Sequence, residues 1–166
     1  MSTALREARI LGDERILART DELTGVANRR KLIADIDSFS NVEGALLLLD
    51  LDGFKPVNDN YGHEVGDLIL RQVAQRFTRT LPQNATLARL GGDEFGVLVQ
   101  GSYEETLETA HALRASLTYP FTIDGQSIMV GVSIGHAHNN GAGDLLRRAD
   151  SAMYRAKRSD LGVAQS

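Results

Sequence analysis

The stretch T-L-A-R-L-G-G-D-E-F-G-V-L-V, residues 86–99, holds two short apolar segments, 86–90 and 95–99, with Gly91-Gly92-Asp93-Glu94 between them. Apolar runs of this length around a glycine turn predict a β-hairpin. Its tip poses a chemical problem, because Asp93 and Glu94 stand directly ahead of a strand core. Carboxylates seldom abut such a core without a partner or a cation.

Working outward, residues 45–49, A-L-L-L-L, are apolar throughout and bounded by Gly44 and Asp50, which predicts a buried strand. Asp124-Gly125 predicts a second hairpin, between residues 121–123 and 127–135. Helical spacing marks four segments between and around these strands. Asn28 is a candidate N-cap for a helix bearing Leu32, Ile33, Ile36 and Phe39. Residues 62–80 place Val65, Leu68, Ile69, Val73 and Phe77 on one face, with Pro82 just beyond. Ser102 and Glu105 form a capping box ahead of Leu107, Ala110, Leu113 and Leu117. Residues 144–158 align Leu145, Leu146, Ala149, Ala152, Met153 and Ala156 on one face. An amphipathic helix is also expected over 3–20, as a linker ahead of a domain at 21–158, and residues 159–166 read as a fraying, flexible tail. Hairpins mixed with helices predict an α/β layer of the α+β type, ferredoxin-like rather than doubly wound.

The 166 residues suit one domain, and 42% hydrophobic with 24% charged residues suit a water-soluble core. Eighteen basic against twenty-two acidic residues give a net charge of -4, which speaks against a broad nucleic-acid partner. Without cysteine there is neither a disulfide nor a thiolate metal site. No run of eighteen apolar residues offers a membrane segment, the first ten residues lack the apolar stretch of a secretion signal, and the expected location is cytoplasmic.

The chemistry gathers in the acids. Asp50 and Asp52 close the first strand, and Asp93 and Glu94 sit at the hairpin tip. If the two elements are neighbours, their carboxylates meet at one sheet edge and repel unless a cation joins them. Magnesium or manganese is the natural choice for oxygen ligands, and two ions about 4 Å apart would suit an in-line phosphoryl displacement. Taken alone, D-x-D at a strand end reads as a solvated turn, and an acidic hairpin tip as plain surface.

The segment D-L-D-G-F-K-P-V-N-D-N-Y-G-H-E-V-G-D, 50–67, adds a phosphate cradle: Gly53 permits close approach, and N–H groups near Gly53 and Phe54, with Lys55, suit phosphate oxygens. Asn58 and Asp67 can read a base, since Asp accepts from the N1–H and N2–H₂ of guanine and Asn offers both a donor and an acceptor. The bland alternatives are a turn for Asn58 and a helix-dipole charge for Asp67. His63 reads equally as a pocket wall or as a residue opening a helix. His136 and His138 read as exposed surface, and His111 as structural or solvated. There is no Gly-x-x-x-x-Gly-Lys loop and no nucleophilic Ser or Cys arrangement.

These residues resemble the GGDEF domains, the diguanylate cyclases, which join two GTP molecules into cyclic di-GMP and release two pyrophosphates. The likeness runs from about residue 20 to 158. It rests on D-x-L-T-G-x-x-N-R-R at 21–30, D-x-D-x-F-K-x-x-N-D at 50–59, G-H-x-x-G-D at 62–67, G-G-D-E-F at 91–95, S-I-G at 133–135 and A-D-x-A-M-Y-x-A-K at 149–157. The resemblance implies a five-stranded, mostly antiparallel sheet flanked by helices, similar to the polymerase palm. It implies that Asp50, Asp93 and the Leu51 carbonyl ligate Mg2+ or Mn2+, with Glu94 beside them. Asp93 or Glu94 would take the proton of the attacking 3′-hydroxyl. Lys55 would offset phosphate charge, helped by Arg89 and Lys157, while Asn58, His63 and Asp67 would line the guanine pocket. One domain holds one GTP in this family, so turnover needs a second such domain face to face, a homodimer.

The same resemblance leaves room for an upstream sensor or a downstream EAL-type domain in a longer protein; otherwise the chain reads as a shortened or minimal form. It also exposes departures. The family's R-x-x-D inhibitory segment aligns with P-Q-N-A, 82–85, which predicts no product binding there. Leu161 stands where the family ends with an arginine, and Arg158 is the candidate substitute. Two functions stay open: an active cyclase, and a silent GTP-binding module regulating an attached phosphodiesterase. A polymerase palm fragment is disfavoured by the acidic charge and the short length.

Overall fold

Four consecutive leucines, Leu46 to Leu49, are almost wholly removed from solvent, and they define the middle of the molecule. Each is worth roughly 1.5–3 kcal/mol relative to an exposed leucine. In the computed structural model, which describes residues 18–141 and 143–166, the chain runs β1 (Ala27–Asn28), α1 (Arg29–Asp37), β2 (Gly44–Asp52), α2 (Phe54–Tyr61), α3 (His63–Thr80), β3 (Thr86–Gly91), β4 (Glu94–Gln100), α4 (Tyr103–Ser116), β5 (Phe121–Ile123), β6 (Gln126–Ile128), β7 (Gly131–His138), α5 (Leu145–Ser159) and β8 (Val163–Gln165).

The main sheet has the order β1-β3-β4-β2-β7-β8. Its three inner pairings are antiparallel, and the outermost, β1 on β3 and β7 on β8, are parallel. Because side chains alternate along a strand, β2 feeds two cores. Leu47, Leu49 and Leu51 face the core built with α2, α3 and α4, where Phe77 meets Phe95 edge-on at 5.6 Å. Leu46 and Leu48 face the smaller core under α1 and α5. At Gly135 the α5 backbone presses so close that a Cβ would overlap Met153 and Ala149, so this helix lies tight on the sheet.

The sheet flanked by helices agrees with the expected fold class, but it has six strands rather than five. Its outermost strands, of two and three residues, are set by pairing with neighbours and not by local periodicity, while the expected strand at 121–123 lies outside this sheet. The 159–166 tail is likewise corrected: Ala164 is buried and residues 163–165 pair with β7. The strand expected over 127–135 splits, with β5 and β6 forming a separate hairpin before β7 joins the main sheet. The capping box forms as expected, with Ser102 and Glu105 exchanging bonds of 3.1 Å. The helix expected over 3–20 lies outside the described residues except for 18–20, where Thr20 bridges Ala27. Among the described residues no helix is long and apolar enough to cross a membrane.

Candidate active site

The register of β2 against β4 puts Asp50 directly opposite Glu94. Both therefore project from the sheet face that carries α1 and α5, as does Asp52 two residues on. Asp93 sits at the turn beyond, and its carbonyl accepts the Leu51 N–H at 3.0 Å. A strand residue's N–H and C=O leave on the same edge, so the Leu51 carbonyl faces this turn as well. The acids that the sequence separates by more than forty positions thus meet at one sheet end.

The electrostatics there are strained. Burial and then the Asp50 charge push the Asp93 carboxyl above its ordinary range. Glu94 is pushed up by burial, by Asp50 and, further down, by Asp150 and Asp93, with Arg29 pulling the other way. Asp50 Oδ1 is buried and has no hydrogen-bond partner among the described residues. Its other oxygen, Oδ2, lies 3.0 Å from Lys157 Nζ, which reaches over from α5 and stands 3.7 Å from Asp52 Oδ1. Burial alone would lower the lysine's pKa, but the hydrogen bond and charge of Asp50, with Asp52 and Asp93, outweigh it and hold the ammonium above its usual value. Ser133 of β7 donates to both Asp52 oxygens, at 3.0 and 2.9 Å.

Beside the acids, the chain turns through Gly53 in the left-handed region (φ 80°) and starts α2. No side chain caps this helix, and a Cβ at Gly53 would meet nothing within 4 Å. The first N–H groups of a helix have no intrahelical acceptor, and here no side chain takes them up. Phe54 is buried as its apolar anchor and Lys55 is exposed. Asn58 sits on α2 with its amide packed over Gly66 of α3, where any Cβ would collide with it. His63 opens α3, and both His63 and Asp67 are exposed.

The structure thus brings Asp50, Leu51, Asp93, Glu94 and Lys157 together, and sets Gly53, Phe54 and Lys55 at the helix start that follows Asp52. Asn58, His63 and Asp67 lie at the α2–α3 corner. Arg89 has a bracing role: its guanidinium is bonded to Asp21 Oδ1 at 3.0 Å and twice to the Gly92 carbonyl, at 3.0 and 2.9 Å, which ties the hairpin turn to the chain before β1. Arg158 likewise lies against Tyr154, and Leu161 is exposed. Two residues escaped the sequence reading. Ser133 was noticed only within S-I-G, and its partner Asp52 is 81 positions away. His136, expected at the surface, is fully buried in β7 with its Nε2 2.8 Å from Thr106 Oγ1.

Comparison with known proteins finds relatives over most of the chain. PdeR of Escherichia coli, named a cyclic di-GMP phosphodiesterase, is 39% identical over 157 residues, covering 89% of this chain and 24% of its own length. The response regulator PleD of Caulobacter vibrioides is 37% identical, covering 86% of this chain and 35% of its own. The diguanylate cyclase DgcP of Pseudomonas aeruginosa is 38% identical, covering 90% and 24%. The chain therefore spans about a third or less of these curated relatives. Among solved structures, the coiled coil and GGDEF domain of DgcB from Caulobacter crescentus, determined with c-di-GMP, superposes with a TM-score of 0.88 at 27% identity, covering 98% of this chain and 93% of that one. The family model described as "Diguanylate cyclase, GGDEF domain" matches residues 18–161, and with the G-G-D-E-F turn at the meeting point of the acids, the chain belongs to the GGDEF family.

Proposed function

We propose that this domain is a working diguanylate cyclase half-site, which binds one GTP and, facing a second copy, condenses two GTP into cyclic di-GMP with loss of two pyrophosphates. The observation that carries the proposal is the convergence of Asp50, Asp93 and Glu94 at one sheet end, with raised carboxyl pKa values and an unpartnered buried Asp50 oxygen. A binder alone has no need of so costly a cluster.

The donor set fits a hard divalent ion. Among the described residues no three His, Cys, Asp or Glu side chains surround one point, so the ligands would be Asp50 and Asp93 with the Leu51 carbonyl and substrate phosphates. When bound, Mg2+ or Mn2+ supplies Lewis acidity that makes a 3′-hydroxyl more acidic and offsets phosphate charge. Asp93 or Glu94, already proton-seeking, receives the hydroxyl proton as its oxygen bonds to the α-phosphorus of the facing nucleotide. The bond from that phosphorus to pyrophosphate breaks. Lys55 and the N–H groups of Gly53, Phe54 and Lys55 hold the phosphates, with Lys157 adding charge from α5. Asn58 and Asp67, with His63 at the rim, recognise guanine by its N1–H and N2–H₂ donors.

Purified protein at high concentration, given GTP and magnesium, should yield cyclic di-GMP by chromatography. Absence of product under enforced dimerisation, with GTP still bound, sinks this reading. It would then favour a silent GTP-binding module of a phosphodiesterase, the reading that the kinship with PdeR and the exposed Leu161 support.

A further inference from the structure

We infer that Lys157 is a resident counter-ion of the carboxylate cluster, and that Asp52, held by Ser133, is the second anion to which this lysine withdraws when a divalent cation takes Asp50. The inference rests on the reading of Asp50 as a cation ligand given above.

The geometry carries it. Asp50 presents two unlike oxygens: Oδ2 holds Lys157 at 3.0 Å, and Oδ1 is buried and unpartnered. Lys157 sits between two carboxylates, because Asp52 Oδ1 is only 3.7 Å from the same nitrogen. Asp50 and Asp52 share a face of β2, as residues two apart must. Ser133 divides its single proton between the Asp52 oxygens and so keeps that carboxylate beside the lysine. The close seat of α5 on Gly135 fixes the helix from which the lysine reaches, so the choice between the two acids is a small swing of the side chain's end.

The energetics run the same way. Without a cation, Asp50, Asp93 and Glu94 repel one another, and one ammonium on Asp50 offsets part of that repulsion. A cation held by Asp50 Oδ1 draws on the same carboxylate and repels the ammonium. Lys157 then leaves Oδ2 at little cost, since Asp52 already stands beside it. The lysine therefore competes with the cation, and Asp52 lessens that competition by acting through the lysine. Asp52 and Ser133 are positioning residues in this scheme.

The test is the affinity for Mn2+ alone, without nucleotide, read by electron paramagnetic resonance on the full chain, with circular dichroism confirming the fold of each variant. Lys157→Met should bind Mn2+ about fivefold more tightly, and Asp52→Asn about fivefold more weakly, as expected for residues coupled in one network. In the Lys157→Met background the Asp52→Asn penalty should shrink to within about twofold. Ser133→Ala, the milder variant should Asp52→Asn misfold, should weaken binding by a smaller factor that also vanishes without the lysine. An Asp52→Asn penalty of equal size with and without Lys157 would overturn the inference alone, because Asp52 would then act by its own charge. So would Lys157→Met binding no more tightly than the wild type. If wild-type protein and Asp50→Asn take up Mn2+ alike without nucleotide, the inference falls; if they do so with GTP present as well, the cation reading falls with it.

Discussion

Two buried polar atoms lack a hydrogen-bond partner among the described residues, Asp50 Oδ1 and His136 Nδ1, and they occupy opposite faces of one sheet. The Asp50 oxygen lies at a strand end among like charges, and its neighbours Asp93 and Glu94 respond by holding their protons more tightly. The His136 nitrogen lies deep in β7 under α4, with the Tyr103 ring edge-on at 5.2 Å. Thr106 Oγ1 lies within hydrogen-bond reach of the Ser102 and Tyr103 carbonyls and 2.8 Å from His136 Nε2. Burial, followed by the charge of His138 and, more weakly, of Arg148 and His111, lowers the His136 pKa to about 4. One orphan atom belongs to a group that stays neutral at low cost. The other belongs to a carboxylate cluster whose members repel one another. The same deficit of partners marks packing in one region and, on the proposed function, chemistry in the other.

The comparison breaks most readily at the level of turnover. Asp93→Asn and Glu94→Gln should each lower cyclic di-GMP formation by at least about a hundredfold, the usual scale for losing a proton-transfer group or a metal-facing acid. A folded His136→Leu variant should keep the wild-type turnover per molecule. Chromatographic product assays on the three variants decide it, and a dead His136→Leu enzyme of native fold would erase the distinction.

Stability should show the reverse order. His136→Ala leaves a cavity and strands Thr106 without its ring partner, so a loss of about 2–4 kcal/mol is expected in urea unfolding. A related effect follows from pH. The folded-state pKa of His136 lies below its unfolded value of 6.5. The folded protein therefore binds fewer protons in that window, and the histidine's contribution, complete above about 6.5, is lost as pH falls through about 4. The loss amounts to at most about 3 kcal/mol. Urea midpoints measured between pH 7 and pH 4 should fall in the wild type and flatten over this range in His136→Leu.

How far the sequence revealed these regions follows from the reach of each signal. Local patterns were legible: the leucine run of β2, the Ser102–Glu105 box, and the helical spacing of α3 and α5 all depend on residues within one or two turns. The acids at 50 and 93 were legible as a pair because one closes a strand and the other sits at a hairpin tip, and the resemblance to the GGDEF domains joined them. What escaped was decided by distant partners. His136 is buried because Thr106, thirty positions earlier, meets its ring. Arg89 is tied to Asp21, 68 positions away. Helix α2 was hidden because Gly53, Pro56, Asn58, Asp59, Asn60 and Gly62 read as turn formers, yet Phe54 and Val57 anchor it to the core.

The smallest expected effect sharpens the comparison most. The Asp93 and Glu94 carboxyls bind protons more tightly in the folded chain than in the unfolded one. Their favourable contribution is therefore fully present below the ordinary carboxylate pKa near about 4 and is lost as pH rises through the raised values, so at neutral pH and without metal the cluster weakens the fold. Asp93→Asn should then stabilise the metal-free protein by a few tenths to about 1 kcal/mol, the modest scale of partly exposed charges. On the proposed function the same substitution removes a cation ligand, so added Mn2+ should raise the melting temperature of the wild type, by mass action on the folded state, and leave Asp93→Asn almost unmoved. A residue kept for packing would show the opposite pair of results: its neutral substitute would melt earlier, and metal would act on both proteins alike. The crossing of the two melting curves as Mn2+ is added therefore separates a carboxylate retained for its chemistry from one retained for the fold.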